Sequence, residues 1–253
     1  MSPRETYAAT FLYDCDGGAA SAGRDAMNAQ IEPALSTLLD RLTDWTPIPE
    51  FEASMASYFS GPRSTAEVQT YRSRSGSQKK LRDELTPVLH HFQFLKVEGE
   101  VRFALNDDVP DCWVRANASA VPHGMEVTIA QAREQHHLGK ELNEKGVGRG
   151  FLGLPDSAPS AVFTARLARP RDMHSTEAAL YAVREGIKSC IAKKAKSKYR
   201  GFDLLIEAPL GSLPRARWSL VQDELRAAAR ETPFHRVHVI SNRSPEPFGF
   251  CVK

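Results

Sequence analysis

Apolar positions recur at two spacings along the chain, and each spacing marks a different kind of element. Ile31, Leu35, Leu38, Leu39 and Leu42 stand at i, i+4, i+7, i+8 and i+11, the stripe of an amphipathic helix. Pro33 suits its first turn. A shorter helix is expected over 51–59. Leu81, Leu85, Val88, Leu89 and Phe92 form another helical stripe, in which Pro87 predicts a kink or break. Segments 94–105, 109–114 and 124–130 read as strands, the first with a turn or bulge near 96–100. In the third, Met125, Val127 and Ile129 face one way and Glu126, Thr128 and Ala130 the other. If that second face is buried, its carboxylate needs a cation or donors there; if it is the solvent face, it needs neither. Residues 176–199 give the clearest helix, with Leu180, Val183, Ile187, Cys190 and Ile191 as its buried stripe. Residues 202–208 read as a buried strand. Ser212 is placed as an N-cap, with Pro214 inside a helix running to about Arg230. Strands at 237–241 and 248–252 flank a turn at Pro245-Glu246-Pro247.

Loop-like stretches around Gly61-Pro62 and Ser75-Gly76-Ser77 place a boundary near Gly76. Residues 1–76 form a helical N-terminal extension with a basic linker, and residues 77–253 an α/β domain. The order helix, three strands, helix, strand, helix, strand predicts a central mixed β-sheet flanked by helices. A chain of 253 residues with 42% hydrophobic and 25% charged content suits a soluble globular protein.

Charge changes the picture through its distribution. The net charge is only +2, yet Lys188, Lys193, Lys194, Lys196, Lys198 and Arg200 follow one another with no acid among them. Arg63, Arg72, Arg74, Lys79, Lys80 and Arg82 form a second basic stretch, interrupted by Glu67. Such clusters fit a phosphate-binding surface as well as a solvated helix face. Cys15, Cys112, Cys190 and Cys251 lie far apart, which argues against a zinc ribbon and suits reduced thiols in a cytoplasmic protein. No apolar leader segment and no run of about 18 apolar residues is present, so a membrane partner is not expected.

The candidate chemistry lies at Val109-Pro110-Asp111 and Glu126-Val127-Thr128. Acids on two adjacent short strands can bring carboxylates together, an arrangement that suits a hard cation. Pro-Asp followed by Glu-x-Thr resembles the motif of the PD-(D/E)XK nuclease-like superfamily, in which Asp/Glu-x-Lys follows Pro-Asp. The order of elements over residues 77–208 also resembles that superfamily's αβββαβ core. The resemblance implies a restriction-endonuclease-like fold with Mg (or Mn) held by Asp111 and Glu126, and an acid on the first helix, here Glu84, as a further metal ligand. It implies a nuclease that hydrolyses phosphodiester bonds of DNA or RNA.

Thr128 occupies the lysine's place and cannot supply a positive charge. The stripe of the long helix, continued by helical steps, reaches Lys194 and Lys198, whereas Lys193 and Lys196 fall on the solvent side. Lys194 is therefore the expected substitute lysine, with Lys198 second. Arg149, Lys193, Lys198 and Arg200 are the expected nucleic-acid contacts. The alternative is a catalytically degenerate module of the same fold, binding nucleic acid or a protein partner without cleavage. Two-strand cutting would favour a homodimer. Gln131 is a candidate for orienting a water. His136, His137, His235 and His238 have no partner at zinc-ligand spacing. Trp113, Tyr199 and Trp218 suit core packing better than base stacking.

Overall fold

The computed structural model describes residues 35–253 apart from 107, 149–150, 170–174 and 243–247. The start of the helix expected from Ile31, and the turn at Pro245-Glu246-Pro247, lie outside the described residues. Residues 35–42 are helical (α1), and their Leu35, Leu38 and Leu42 are buried.

Seven strands form one sheet in chain order: β1 (Thr46–Pro47), β2 (Glu100–Phe103), β3 (Cys112–Arg115), β4 (His123–Ile129), β5 (Asp203–Ala208), β6 (Arg236–Ser241) and β7 (Gly249–Cys251). Strands β1 to β4 pair antiparallel, β4 to β6 parallel, and β7 antiparallel to β6. The sheet is thus mixed and the fold α/β, as the order of elements predicts. All of β5 is buried, in line with a central parallel strand covered on both faces.

The pleat divides the core into two layers. Met125, Val127 and Leu205 join Val88, Leu89 and Phe92 of α5 (Thr86–Leu95) on one face. Ala130, Leu204 and Ile206 join Val183, Ile187 and Ile191 of α8 (Thr176–Lys194), with Leu225 of α9 (Gln222–Arg230), on the other. In α2 (Ile48–Ser60), Ile48, Phe51 and Met55 are buried in the first layer, Phe51 lying 6.2 Å from the Phe92 ring and 5.3 Å from that of Phe103. The chain before Gly76 therefore contributes to the same core. Gly76 itself marks a turn, with φ of 55°.

Several local expectations need correction. Residues 94–105 are not one strand: the helix runs through Leu95, Lys96 takes a left-handed conformation that ends it, and β2 begins only at Glu100. Pro87 does not break its helix. Residues 77–95 stay helical through α4 (Ser77–Lys80), a π turn over Leu81–Leu85 and α5. The N–H of Thr86 reaches back to the Leu81 carbonyl, so the wider turn takes up the disruption that a proline brings to an α-helical ladder. Ser212 ends a short 3₁₀ turn, and a second one over Arg215–Val221 precedes α9. The long helix stops at Lys194, five residues before the expected Tyr199. Helices α3 (Thr65–Ser73), α6 (Ala132–Lys145) and α7 (Ser160–Ala168) come in addition to the predicted elements.

Candidate functional site

The antiparallel pairing of β3 with β4 sets Cys112 opposite Met125, which brings Asp111, one step further, beside Glu126. The Glu126 side chain is only 4% exposed, so its face of β4 is a buried one. That face lies under the C-terminal end of α8. Lys194, the last residue of the helix, donates to Glu126 Oε1. One turn earlier, the Cys190 Sγ lies 3.8 Å from the Thr128 hydroxyl, which donates to it. Glu126 and Thr128 on the strand are thus matched by Lys194 and Cys190 at i and i−4 on the helix.

Asp111 turns one carboxylate oxygen inward, where Oδ2 accepts the Val127 backbone N–H at 2.7 Å. Glu84, on the π turn, has Oε1 3.0 Å from the Lys80 ammonium. Glu84 Oε2 and Glu126 Oε2 are both buried and accept no hydrogen bond among the described residues.

The electrostatics tie these groups together. Burial pushes the Asp111 carboxyl up to about 7, helped by the charges of Glu126 and Glu84 and opposed by the Val127 N–H and the Lys194 ammonium. Burial also raises the Glu84 carboxyl, against the bond and charge of Lys80. Burial acts to lower the Lys194 pKa, but its bond to Glu126 and the surrounding negative charge outweigh it, and the value rises. Lys194 therefore stays an ammonium. Glu126 and Asp111 lie near it, and the charge of Glu84 reaches Asp111, so negative charge is in excess in this buried site.

The structure brings Asp111, Glu126 and Lys194 together, and the charge of Glu84 reaches Asp111. Thr128 faces Cys190. Lys193 is exposed, as its position off the stripe predicts. Lys198 corrects an expectation: α8 ends before it, Ala195 leaves helical geometry, and Lys198 is exposed with its ammonium 4.8 Å from the centre of the Tyr199 ring. Arg200 is exposed, and Arg149 lies outside the described residues. Gln131 is buried, its amide donating to the Leu154 carbonyl at 3.3 Å.

Much of the basic stretch from Arg63 to Arg82 is engaged in packing. Arg63 lies over the Phe59 ring, Arg82 donates to the carbonyls of Tyr71 and Arg72, and Arg74 pairs with Asp83 at 3.5 Å. Trp218 is fully buried with its indole donating to the Leu210 carbonyl, and Tyr199 stacks on Phe234. A cleft of about 440 Å³ adjoins the start of β3, lined by Arg102, Asn106, Asp108, Pro110 and Trp113.

Sequence reading misses one cluster altogether. His123, Asp203 and His235 converge at the start of β4, β5 and β6. The signal available in the sequence was an acid opening a strand of buried character, close to histidines that also flank strand starts. His235 has no partner at zinc-ligand spacing along the chain, and it is residues distant in sequence that the fold brings beside it.

No protein-family model, curated protein or solved structure matches the chain. Geometry and chemistry carry the reading of the site.

Proposed function

We propose that this chain is a metal-dependent nuclease with a restriction-endonuclease-like core, hydrolysing phosphodiester bonds of DNA or RNA. The observation that carries this reading is the meeting of Asp111 and Glu126 beside the Lys194 ammonium, with the charge of Glu84 acting on Asp111. An all-carboxylate donor set suits Mg²⁺ or Mn²⁺. The buried Oε2 atoms of Glu126 and Glu84, without donors among the described residues, fit such an ion. Asp111 and Glu126, with Glu84, would hold it. Bound there, the ion supplies Lewis acidity toward a phosphoryl oxygen and lowers the pKa of a water.

The remaining roles belong to the chain. Lys194, tethered to Glu126, brings the positive charge that Thr128 lacks and sets it where phosphoryl charge develops. Val127 N–H fixes the orientation of the Asp111 carboxylate. Lys193, Lys198 and Arg200, exposed near the same helix end, offer contacts to backbone phosphates. The antiparallel run β2–β3–β4 followed by α8 and the parallel β5 supports the resemblance in architecture.

The Thr128 hydroxyl, turned toward Cys190, favours a second reading: a degenerate module of this fold that binds nucleic acid or a protein partner. Incubation of the full chain with plasmid, single-stranded DNA and RNA, across a Mg²⁺ and Mn²⁺ series, separates the two. Cleavage is expected, and Glu126→Gln and Asp111→Asn should each lower it by about 10²-fold or more while leaving circular dichroism unchanged. Full activity in both variants would sink the metal-site assignment. Mg²⁺-independent, salt-sensitive binding without cleavage would replace it with the degenerate module.

A further inference from the structure

The parallel register pairs Met125 of β4 with Asp203 of β5, and both lie on the sheet face opposite Glu126. Around Asp203 the described structure places three imidazoles. His123 Nε2 is 3.0 Å and His235 Nδ1 3.2 Å from Asp203 Oδ1, and His238 Nε2 is 3.9 Å from Oδ2. One ligand atom from each of His123, Asp203 and His235 lies within 4.8 Å of the others. The Asp203 side chain is 8% exposed, whereas those of His123 and His235 are 39% and 57% exposed. The carboxylate is anchored inside and the imidazoles form a rim open to solvent.

We propose that His123, Asp203 and His235 form a binding site for a borderline divalent transition ion, of which Zn²⁺ is the representative. Ligand atoms about 2.0–2.1 Å from a tetrahedral ion stand roughly 3.3–3.4 Å apart, close to the two Asp203–imidazole separations. Two imidazoles and one carboxylate leave a position open for water, the donor pattern of reactive rather than closed structural sites. His238, deeper and 12% exposed, is placed as an outer partner that steadies the second carboxylate oxygen. The ligands stand at the starts of three neighbouring parallel strands, His235 one residue before β6, so small shifts of side chains would complete the geometry. The nitrogen donors distinguish this site from the all-carboxylate notch on the opposite face, and the inference does not depend on the nuclease reading.

The competing arrangement is a plain hydrogen-bonded cluster, in which the imidazole nitrogens facing Asp203 carry protons. A metal requires those nitrogens bare, so direct titration decides between them. The full chain, free of any histidine tag and stripped with chelator, is titrated with Zn²⁺ by calorimetry, and with Co²⁺ by visible absorption. One equivalent is expected, with the intense bands of low-coordinate Co²⁺. His235→Ala, an exposed substitution that leaves the core untouched, should weaken Zn²⁺ binding by more than the roughly 10–100-fold typical of losing an outer partner. Asp203→Asn should do the same, and Glu126→Gln should leave it unchanged. Binding that is absent, equal in the His235→Ala chain, or lost only with Glu126→Gln overturns the proposal.

Discussion

Removing either partner of the Lys194–Glu126 pair has unequal consequences, because the two side chains are 26% and 4% exposed. A Lys194→Met chain leaves a carboxylate buried without its counter-ion. The cost should fall at the lower end of the roughly 3–5 kcal/mol for breaking a buried pair, since Lys194 keeps some exposure to water. Adding Glu126→Gln should recover most of that loss. Urea unfolding of the two single variants and the double variant measures the coupling; simple additivity would mean that the pair contributes nothing. Helical stepping from Ile187 and Cys190 reaches Lys194, which is the last residue still in helical geometry. The same stepping fails for Lys198, since nothing in the lysine-rich run announces that Ala195 departs from the helix.

Glu134 supplies a pH dependence at the same scale. It is buried, which pushes its carboxyl up to about 7 from 4.5 although backbone N–H groups of Leu152, Leu154 and Gly153 pull the other way. The folded chain keeps this proton to a higher pH than the unfolded chain, so folding takes up a proton in between. Its contribution to stability is full below about pH 4.5 and is lost as pH rises through about 7. Thermal unfolding should show Glu134→Gln gaining on the parent chain between pH 5 and pH 8; a constant difference would refute this sign.

Elements that the sequence hides are those whose organisation is not local. The N-terminus of α6 has no cap from its own Gln131; instead Asp156, 23 to 24 residues away, accepts the N–H groups of Arg133 and Ala132 at 3.1 Å. Its buried residues are Glu134 and Gly139, not an apolar stripe. Gly139 is there because α3 passes close by: an added Cβ would stand 2.2 Å from the Arg72 carbonyl oxygen. Gly139→Ala should therefore destabilise the fold by about 1–3 kcal/mol, despite alanine's better helix propensity. A denaturant midpoint equal to or above that of the parent would mean the two helices separate freely. The apolar run Leu204-Leu205-Ile206 of β5 reports directly that both faces are covered, whereas the alternation in β4 leaves the cover of the Glu126 face open, and the structure buries it.

At the scale of the whole molecule, the basic surface and the acid notch share one end of α8. Among the described residues, Lys193, Lys196 and Arg200 are exposed there and outside every ion pair, whereas Lys188 pairs with Glu185 at 3.3 Å. If nucleic acid lies across this end, neutralising Lys193 and Arg200 should weaken binding uniformly across sequences. The slope of log affinity against log salt should fall by about 1 for each phosphate deprived of its cation. Fluorescence anisotropy at several salt concentrations reads this, and an unchanged slope would move the binding surface elsewhere. No described helix is long and apolar enough to cross a membrane. The mixed sheet follows from the order of elements, but the clustering of His123 and Asp203 requires the register of β4 on β5, which no local pattern encodes.

The π turn over Leu81–Leu85 also sets a phase. A π turn takes in one residue more than an α-helical turn, so the extra residue is absorbed locally and the segments on either side keep their faces. Arg82 can therefore reach the Tyr71 and Arg72 carbonyls while the charge of Glu84 reaches Asp111. Forced into regular α-helix, the same run of residues would turn its earlier part by about 100° relative to the rest and carry Arg82 away from those carbonyls. The wide turn works as slack let into the helix, holding a surplus residue without twisting what lies on either side.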